Sequence, residues 1–422
     1  MSIELLDLPL NPDTPLDPKS GELSLKPHSF PALTSASGSS ATMPSAAELE
    51  RESIEDSLGL EEIDPLTYRS TRLWIPINAR GGFGGQVLGL SLRAAIKTLD
   101  TGKAWTLHSQ HCYFLLPALG KYPIIYRVEK LRDGKSYVTR SVTASQNGQP
   151  VFMLTCSFTL PTPARFPQPS FREPMPLGIP PPLDCQSEEE RWSKFLASPK
   201  AARLHPGARH SLEAYVLERE SSPVAIREVP RDVEFWFEDD DASEEKRRAE
   251  VEAKWDGSVT GKANFAARAR RSAPSASADQ SVKQVKRKME RHERMLWMKA
   301  KDENVAALDN NFQKSILAYL SDFQFIGTAA QATGLSQNSN PKLGMMASLD
   351  HVVYFYSNDF KTSNWLLHVI TSPRVGDGRG VVEGRFYTEE GELVALTVQE
   401  GVVRAAAADS KVKDKAATKA KL

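Results

Sequence analysis

Cysteine is scarce in this chain: Cys112, Cys156 and Cys185 are the only three in 422 residues. They form no Cys-x-x-Cys pair and no even-numbered framework, which argues against a disulfide scaffold and for a reducing compartment. Net charge is missing too. The 53 Lys and Arg residues balance 53 Asp and Glu, so no overall positive field marks a general nucleic-acid binder. No apolar run approaches the ~20 residues that span a bilayer. The N-terminus carries Glu4 and Asp7 and then prolines, which fits no secretory signal or transit peptide. There is no Gly-x-Ser-x-Gly elbow of an α/β serine hydrolase, and no Gly-Lys-Ser/Thr follows a glycine-rich turn as in a P-loop. No metal site is expected. His108 and His111 are three apart on a strand, hence on opposite faces.

What remains is ordinary. Hydrophobic residues make up 40% and charged residues 25%, and the length suits two or three domains. Residues 1–54 are rich in Pro, Ser and Gly and read as mostly disordered. Beyond a strand near 66–76, Gly81, Gly82, Gly84 and Gly85 open a helix that is apolar on most of its circumference. Such a helix must be wrapped by something. Four strands follow, within 105–116, 123–131, 136–145 and 151–159, the later ones joined at Asp133-Gly134 and Asn147-Gly148.

A Pro-rich linker is expected over 166–228, its later part amphipathic and partly helical. Residues 233–238 read as a strand, and 239–291 as a solvated charged insertion. The segment 295–300 is expected to pair with 233–238 as a hairpin. A second buried helix is expected over 311–331, then strands through 349–404. Residues 406–422 form an Ala- and Lys-rich tail.

The order of elements repeats: strand, helix, strand meander. His111-Cys112-Tyr113-Phe114 recurs as Val352-Val353-Tyr354-Phe355, and the hairpin at Asn147-Gly148 recurs at Glu390-Gly391. The expected fold class is therefore α+β, two units each with a long helix wrapped by an antiparallel sheet, over 55–165 and 229–405. The copies differ at two places. Asp350 stands where the first copy has Ser109, and Gln399 where it has Cys156. A carboxylate and an amide inside apolar strands, present in one copy only, point to chemistry rather than packing. His351 neighbours Asp350 but should point to the other face. Cys112 and Cys156 read as buried core thiols.

Four segments carry a resemblance to a family. They are Phe83-Gly84-Gly85-Gln86-Val87, then His108-Ser109-Gln110-His111-Cys112-Tyr113-Phe114-Leu115, then Leu131-Arg132-Asp133-Gly134-Lys135-Ser136 with Gln146-Asn147-Gly148, and Val398-Gln399-Glu400-Gly401-Val402-Val403-Arg404. In this order they resemble the acyl-CoA thioesterase II enzymes, whose fold is the tandem (double) hotdog. The resemblance implies a site in which a carboxylate, a hydroxyl and a glutamine position one water. Two carry over as Asp350 and Gln399. The hydroxyl follows Trp365-Leu366-Leu367 and falls on Ser372 if the chain resembles the peroxisomal members, with Thr371 in reserve. On the bacterial pattern it falls on Pro373, which cannot serve.

The implied reaction is hydrolysis of a fatty acyl-CoA thioester to free acid and CoA, without a cofactor. Asp350 is the expected base, and burial would raise its ordinary pKa of ~3.9. Backbone donors for the oxyanion are expected in the turn at Gly84, Gly85 and Gln86. The sequence ends Ala420-Lys421-Leu422, similar to the small-basic-Leu address read by the peroxisomal import receptor, so the expected location is the peroxisome matrix. The sequence leaves a homo-oligomer open. The alternative reading is a catalytically weak acyl-CoA-binding or scaffold protein that uses the charged insertion to hold partners.

Overall fold

Two buried helices set the architecture. In a computed structural model of the protein, the described residues are 53–77, 79–162, 170–237, 286–336 and 339–407. The first half opens with a short helix α1 (Ile54–Ser57) and the strands β1 (Leu60–Asp64) and β2 (Thr67–Ser70). Helix α2 (Gly84–Lys97) follows, buried on nearly every side. Its Val87, Leu88, Leu90 and Leu92 are each worth about 1.5–3 kcal/mol in burial. Then come β3 (Thr106–Phe114), β4 (Ile125–Asp133), β5 (Tyr137–Gln146) and β6 (Gln149–Thr159), close to where the sequence pattern puts them. Asn147 and Gly148 make the β5–β6 turn with φ of 49° and 75°, the left-handed region that Asn-Gly supplies at low cost.

Next come β7 (Gln186–Ser187), helices α3 (Glu188–Leu196) and α4 (Pro206–Ser221), β8 (Val224–Glu228), β9 (Glu234–Phe235) and β10 (Arg287–Lys288). The second half then repeats the first with β11 (Glu293–Ala300), helices α5 (Asn310–Ser321) and α6 (Gly327–Ala332), and β12 (Leu343–Ser348) to β13 (Asp350–Phe355). It closes with β14 (Leu366–Gly376), β15 (Arg379–Thr388) and β16 (Leu393–Ala405).

The strand order shows the duplication. A single 14-stranded sheet runs β1-β2-β4-β5-β6-β3-β13-β16-β15-β14-β11-β8-β7, with β12 added on β16. Read outward from the central β3–β13 pair, the two halves present the same order, which is the tandem hotdog. The pair is antiparallel, with Val352 opposite His111 and Tyr354 opposite Ser109. The helices α2 and α5 pack on one face of this sheet. A Cβ at Gly85 would lie 2.5 Å from the Tyr319 carbonyl oxygen, so only glycine permits the approach. Lys314 of α5 also ties the halves. Its ammonium donates to the Leu107 carbonyl at 2.7 Å and to Thr106 Oγ1 at 3.0 Å. Burial pushes that ammonium down to about 8.

Three expectations need correction. Residues 224–228, assigned to the linker, form strand β8, which pairs with β11. The segment 295–300 therefore does not pair with 233–238; β11 lies between β8 and β14, and β9 pairs with β10. Charge explains the choice. Glu228 on β8 accepts from Arg294 on β11 and from Arg191 on α3, each at 3.1 Å, and these partners hold its carboxyl below the usual range despite burial. Apolar alternation alone could not name that partner. The helix expected over 311–331 is broken. It ends at the cap Asp322 and resumes at Gly327, with Gln324 at φ 53° between. Residues 239–285 of the insertion expected over 239–291, most of the N-terminal segment and the Ala420-Lys421-Leu422 ending lie outside the described residues.

Candidate active site

The site is built where β12, β13 and β16 meet. Ser348 on β12 is opposite Gly401, whereas Val352 on β13 is opposite Val398. The register therefore slips by one residue, a bulge at Leu349 and Asp350. The slip leaves the Glu400 N–H without a backbone acceptor, and Asp350 Oδ1 takes it at 2.7 Å. Asp350 is half-buried. Desolvation raises its pKa, the Glu400 N–H bond works the other way, and the Glu400 charge adds to the rise. A carboxylate so raised is a better proton acceptor than a solvated one.

Gln399 sits one residue before Glu400 and faces the helices. It is fully buried. Its Nε2 donates to Asp322 Oδ1 and to Ser348 Oγ, both at 2.9 Å. Its Oε1 has no hydrogen-bond partner among the described residues. Gln399 is opposite Val382 on β15, and Ser372 on β14 lies beyond Val382 on the same buried face. The Ser372 backbone N–H donates to the His292 carbonyl at 2.8 Å, and its Oγ donates to the Val381 carbonyl at 2.9 Å. Thr371 points the other way, into a cavity of about 210 Å³ lined also by Phe235, Met295 and Tyr387. So Ser372, not Thr371, shares a face with Gln399. Among the described residues no hydrogen bond joins Asp350, Ser372 and Gln399 to one another.

Strand alternation puts His351 rather than Asp350 on the helix-covered face, which corrects the expectation that Asp350 shares a water with Gln399; the carboxylate beside Gln399 is Asp322. Continuing the β13–β16 register brings it opposite Gln399. His351 Nε2 lies 2.8 Å from Ser321 Oγ, and that hydroxyl spends its one proton on the Ala318 carbonyl at 2.8 Å. Ser321 therefore accepts, Nε2 carries the imidazole proton, and Nδ1 is a bare acceptor. Burial pushes this histidine down to about 3, so it is neutral across the physiological range. Phe325 separates it from His368, which stacks on Phe386 at 3.9 Å between centroids.

Of the oxyanion candidates, Gln86 is taken up by the fold. Gly84, Gly85 and Gln86 are all buried. The Gln86 side chain accepts from the Trp74 N–H and donates to the Ser57 carbonyl, both at 2.8 Å. The backbone N–H of Gln86 turns back to the Phe83 carbonyl. The close approaches that these glycines allow are to Tyr319 at Gly85, and to Leu73 and Ala118 at Gly82 and Gly81.

Sequence reasoning missed Asp322 and Ser348. Asp322 is a buried carboxylate at the end of an apolar helix, and that burial pattern was the signal available. Among the described residues no group of three or more His, Cys, Asp or Glu could hold a metal ion. No described helix is long and apolar enough to cross a membrane.

Residues 71–159 match the family described as acyl-CoA thioesterase N-terminal domain, and residues 241–403 match the acyl-CoA thioesterase C-terminal domain. The chain is 29% identical over 347 residues to acyl-coenzyme A thioesterase 8 of Mus musculus, covering 82% of this chain and 87% of that one. It is 22% identical over 371 residues to peroxisomal acyl-coenzyme A thioester hydrolase 1 of Saccharomyces cerevisiae, covering 85% and 96%. Among solved structures, the acyl-CoA thioesterase II TesB2 from Mycobacterium marinum aligns with a TM-score of 0.54 at 26% identity, over 84% of this chain and 99% of its own.

Proposed function

The chain belongs to the acyl-CoA thioesterase family, and on that premise we propose that it hydrolyses fatty acyl-CoA thioesters with the hydrogen-bonded cluster of Asp322, Ser348 and Gln399 as its water-activating residues. Neutral water is a poor nucleophile toward a thioester carbonyl. Asp322, the carboxylate that meets Gln399, takes its proton as the new C–O bond forms, a role worth about 10²–10⁴-fold in rate. Gln399 and the Ser348 hydroxyl, whose single proton can rotate between partners, fix the approach of the same water. The tetrahedral intermediate then collapses, the C–S bond breaks, and CoA leaves as a thiolate that takes up a proton.

One observation carries the assignment. The buried Asp322 carboxylate and Ser348 hydroxyl both meet the Gln399 amide at 2.9 Å, and the position of Gln399 in the first half holds Cys156. The test is release of free thiol from a panel of acyl-CoA chain lengths by the purified protein. No release at any length would overturn the reading. Nothing in the described residues favours the scaffold alternative, most of whose charged insertion lies outside them. A variant lacking 239–291 that kept full hydrolysis would place the chemistry outside that insertion.

The finer assignment is to the peroxisome. Its support is the similarity to the yeast enzyme whose name carries that location. Expressed with Leu422 as its last residue, a fluorescent fusion should reach peroxisomes through the import receptor. Removal of Ala420, Lys421 and Leu422 should leave it in the cytosol, and persistence in peroxisomes would reject the tripeptide as the address.

A further inference from the structure

We propose that the cavity behind β14 and β15 is a second ligand site, which takes a free carboxylic acid with a compact apolar body. The cavity lies on the sheet face away from the helices, whereas Gln399 faces them, so the two sites are separated by the thickness of the sheet. Its floor is strand. Met295 on β11 is opposite Val369 on β14, and Val369 is opposite Arg385 on β15. Its cover is the β9–β10 ribbon, through Phe235 and Arg287, and the linker, through Glu173 and Pro176.

Arg385 sets the chemistry. Its Nε donates to Glu173 Oε2 at 2.6 Å, the one ion pair it makes among the described residues. The Nη1–Nη2 edge is left for a second acceptor, and a guanidinium edge matches the two oxygens of a carboxylate. Glu173 already shows that this guanidinium accepts one. Thr371 lies diagonal to Arg385 on the neighbouring strand and turns its hydroxyl into the same cavity, within reach of one head group. Tyr387 adds a further donor. Burial pushes its phenol up, so it stays protonated, and its bond to the Pro174 carbonyl is long at 3.4 Å.

The other ion pair in the wall is closed on itself. Arg287 holds Glu293 through both of its terminal nitrogens, so neither group competes for the ligand. The groups left to meet a guest are therefore mainly donors, which calls for an acceptor head. The rest of the wall calls for an apolar body, since Phe235, Phe237, Met295 and Val369 line it. The volume of about 210 Å³ is below the roughly 300–1,000 Å³ of sites for drug-sized ligands, so that body must be short. Free acid is what the proposed hydrolysis releases, but the binding does not rest on that reading.

The test is calorimetric titration of the full-length protein with octanoate, and with 1-octanol, which keeps the eight-carbon body and lacks the carboxylate. Octanoate should bind, and 1-octanol at least about tenfold more weakly. Arg385→Leu should weaken octanoate at least about tenfold while thiol release from acyl-CoA stays within about twofold, which shows the variant folded and the catalytic face intact. Val369→Trp fills the floor and should abolish the binding. The proposal is overturned if octanoate does not bind, or if 1-octanol binds as tightly. It is also overturned if Arg385→Leu binds octanoate like the unmodified protein, since the acid then sits elsewhere, the catalytic face included. Should Val369→Trp not fold, 1-octanol and Arg385→Leu still decide. Absence of hydrolysis in the unmodified protein would reject the proposed function and leave the binding result standing.

Discussion

The two halves fill the space under their helix ends with different chemistry. Registers align the positions. Arg140 is opposite Cys156 in the first half, as Val382 is opposite Gln399 in the second. Helix α2 is capped by Thr98 and α5 by Asp322. In the first half the buried Arg140 reaches Thr98 Oγ1 at 2.9 Å, the carbonyls of Arg132 and Thr139, and Asp133 at 2.6 Å. Its donors are well supplied with acceptors, as a buried cation requires. In the second half Gln399 reaches the helix cap, and one acceptor is left over. A satisfied arginine can only hold a structure together, and the buried amide of that half, Gln110, meets no polar group among the described residues, whereas Gln399 is joined to a carboxylate and a hydroxyl.

The largest effect expected from breaking this difference is at Asp322. Asp322→Asn keeps the size of the side chain but removes the base. Turnover of acyl-CoA should fall by about 10²–10⁴-fold, with the melting temperature close to that of the parent. Near-normal rates in the folded variant would mean that the second half differs from the first for some reason other than catalysis. Arg140→Met makes the converse cut. Asp133 is 56% exposed, so no buried charge is stranded. The lost hydrogen bonds and packing should still cost about 2–4 kcal/mol in urea unfolding. Turnover per folded molecule should stay within about twofold. A tenfold loss of turnover would show the first half to be part of the site.

Protonation separates the halves as well. The second half buries His351 and His368 where the first has Gln110 and Tyr126. Burial pushes His351 down to about 3 and His368 well below its ordinary value. Both are neutral when folded, while in the unfolded chain they titrate near ~6.5. Below that pH the unfolded state takes up protons that the folded state refuses. Stability from these groups is therefore complete above ~6.5 and is lost as pH falls toward the folded values, by about 1.4 kcal/mol per pH unit for each histidine. Asp350, with its raised pKa, has the opposite sign and returns a small part. Urea unfolding at about pH 7 and about pH 5.5 measures the slope, and His351→Gln, the residue of the first copy, should remove one histidine's share. An unchanged slope in that variant would show that His351 is not held neutral by the fold.

The legible part of this protein was whatever lies within one element. Asp350 and Gln399 stood out because polar groups interrupt apolar strands, and the repeat supplied a copy without them. Helix α2 declared its burial through its unbroken apolar surface. What was hidden depends on partners far apart in the chain. Asp322 reads as an ordinary polar residue near a helix end until Gln399, 77 positions on, is seen to contact it. Strand β8 looked like linker because its ion pairs run to Arg191 and Arg294. The glycines at 81, 82 and 85 were read as letting the backbone approach a ligand, but close approach to a ligand and to a neighbouring element leave the same mark in sequence.

Gly384 offers the finest probe of the two copies. Gly384 is opposite Thr397, and the matching residue of the first half is Val142, opposite Leu154. The first copy therefore packs a full apolar side chain where the second tolerates none. A Cβ on Gly384 would sit 2.1 Å from His368 Nε2 and 2.3 Å from Thr397 Oγ1. Its φ is unremarkable, so the demand for glycine is one of space and not of backbone. Gly384→Ala must push the imidazole off Thr397, whose hydroxyl it meets at 3.3 Å, and off its stack on Phe386. Overpacking of this kind costs about 1–3 kcal/mol. If His368 occupies that place only because glycine makes room, then His368→Ala should largely abolish the added cost of Gly384→Ala in a double-variant unfolding cycle. Full additivity of the two changes would mean that the glycine serves Thr397 or the strand pairing, and that the second half was not cleared at this position for its histidine.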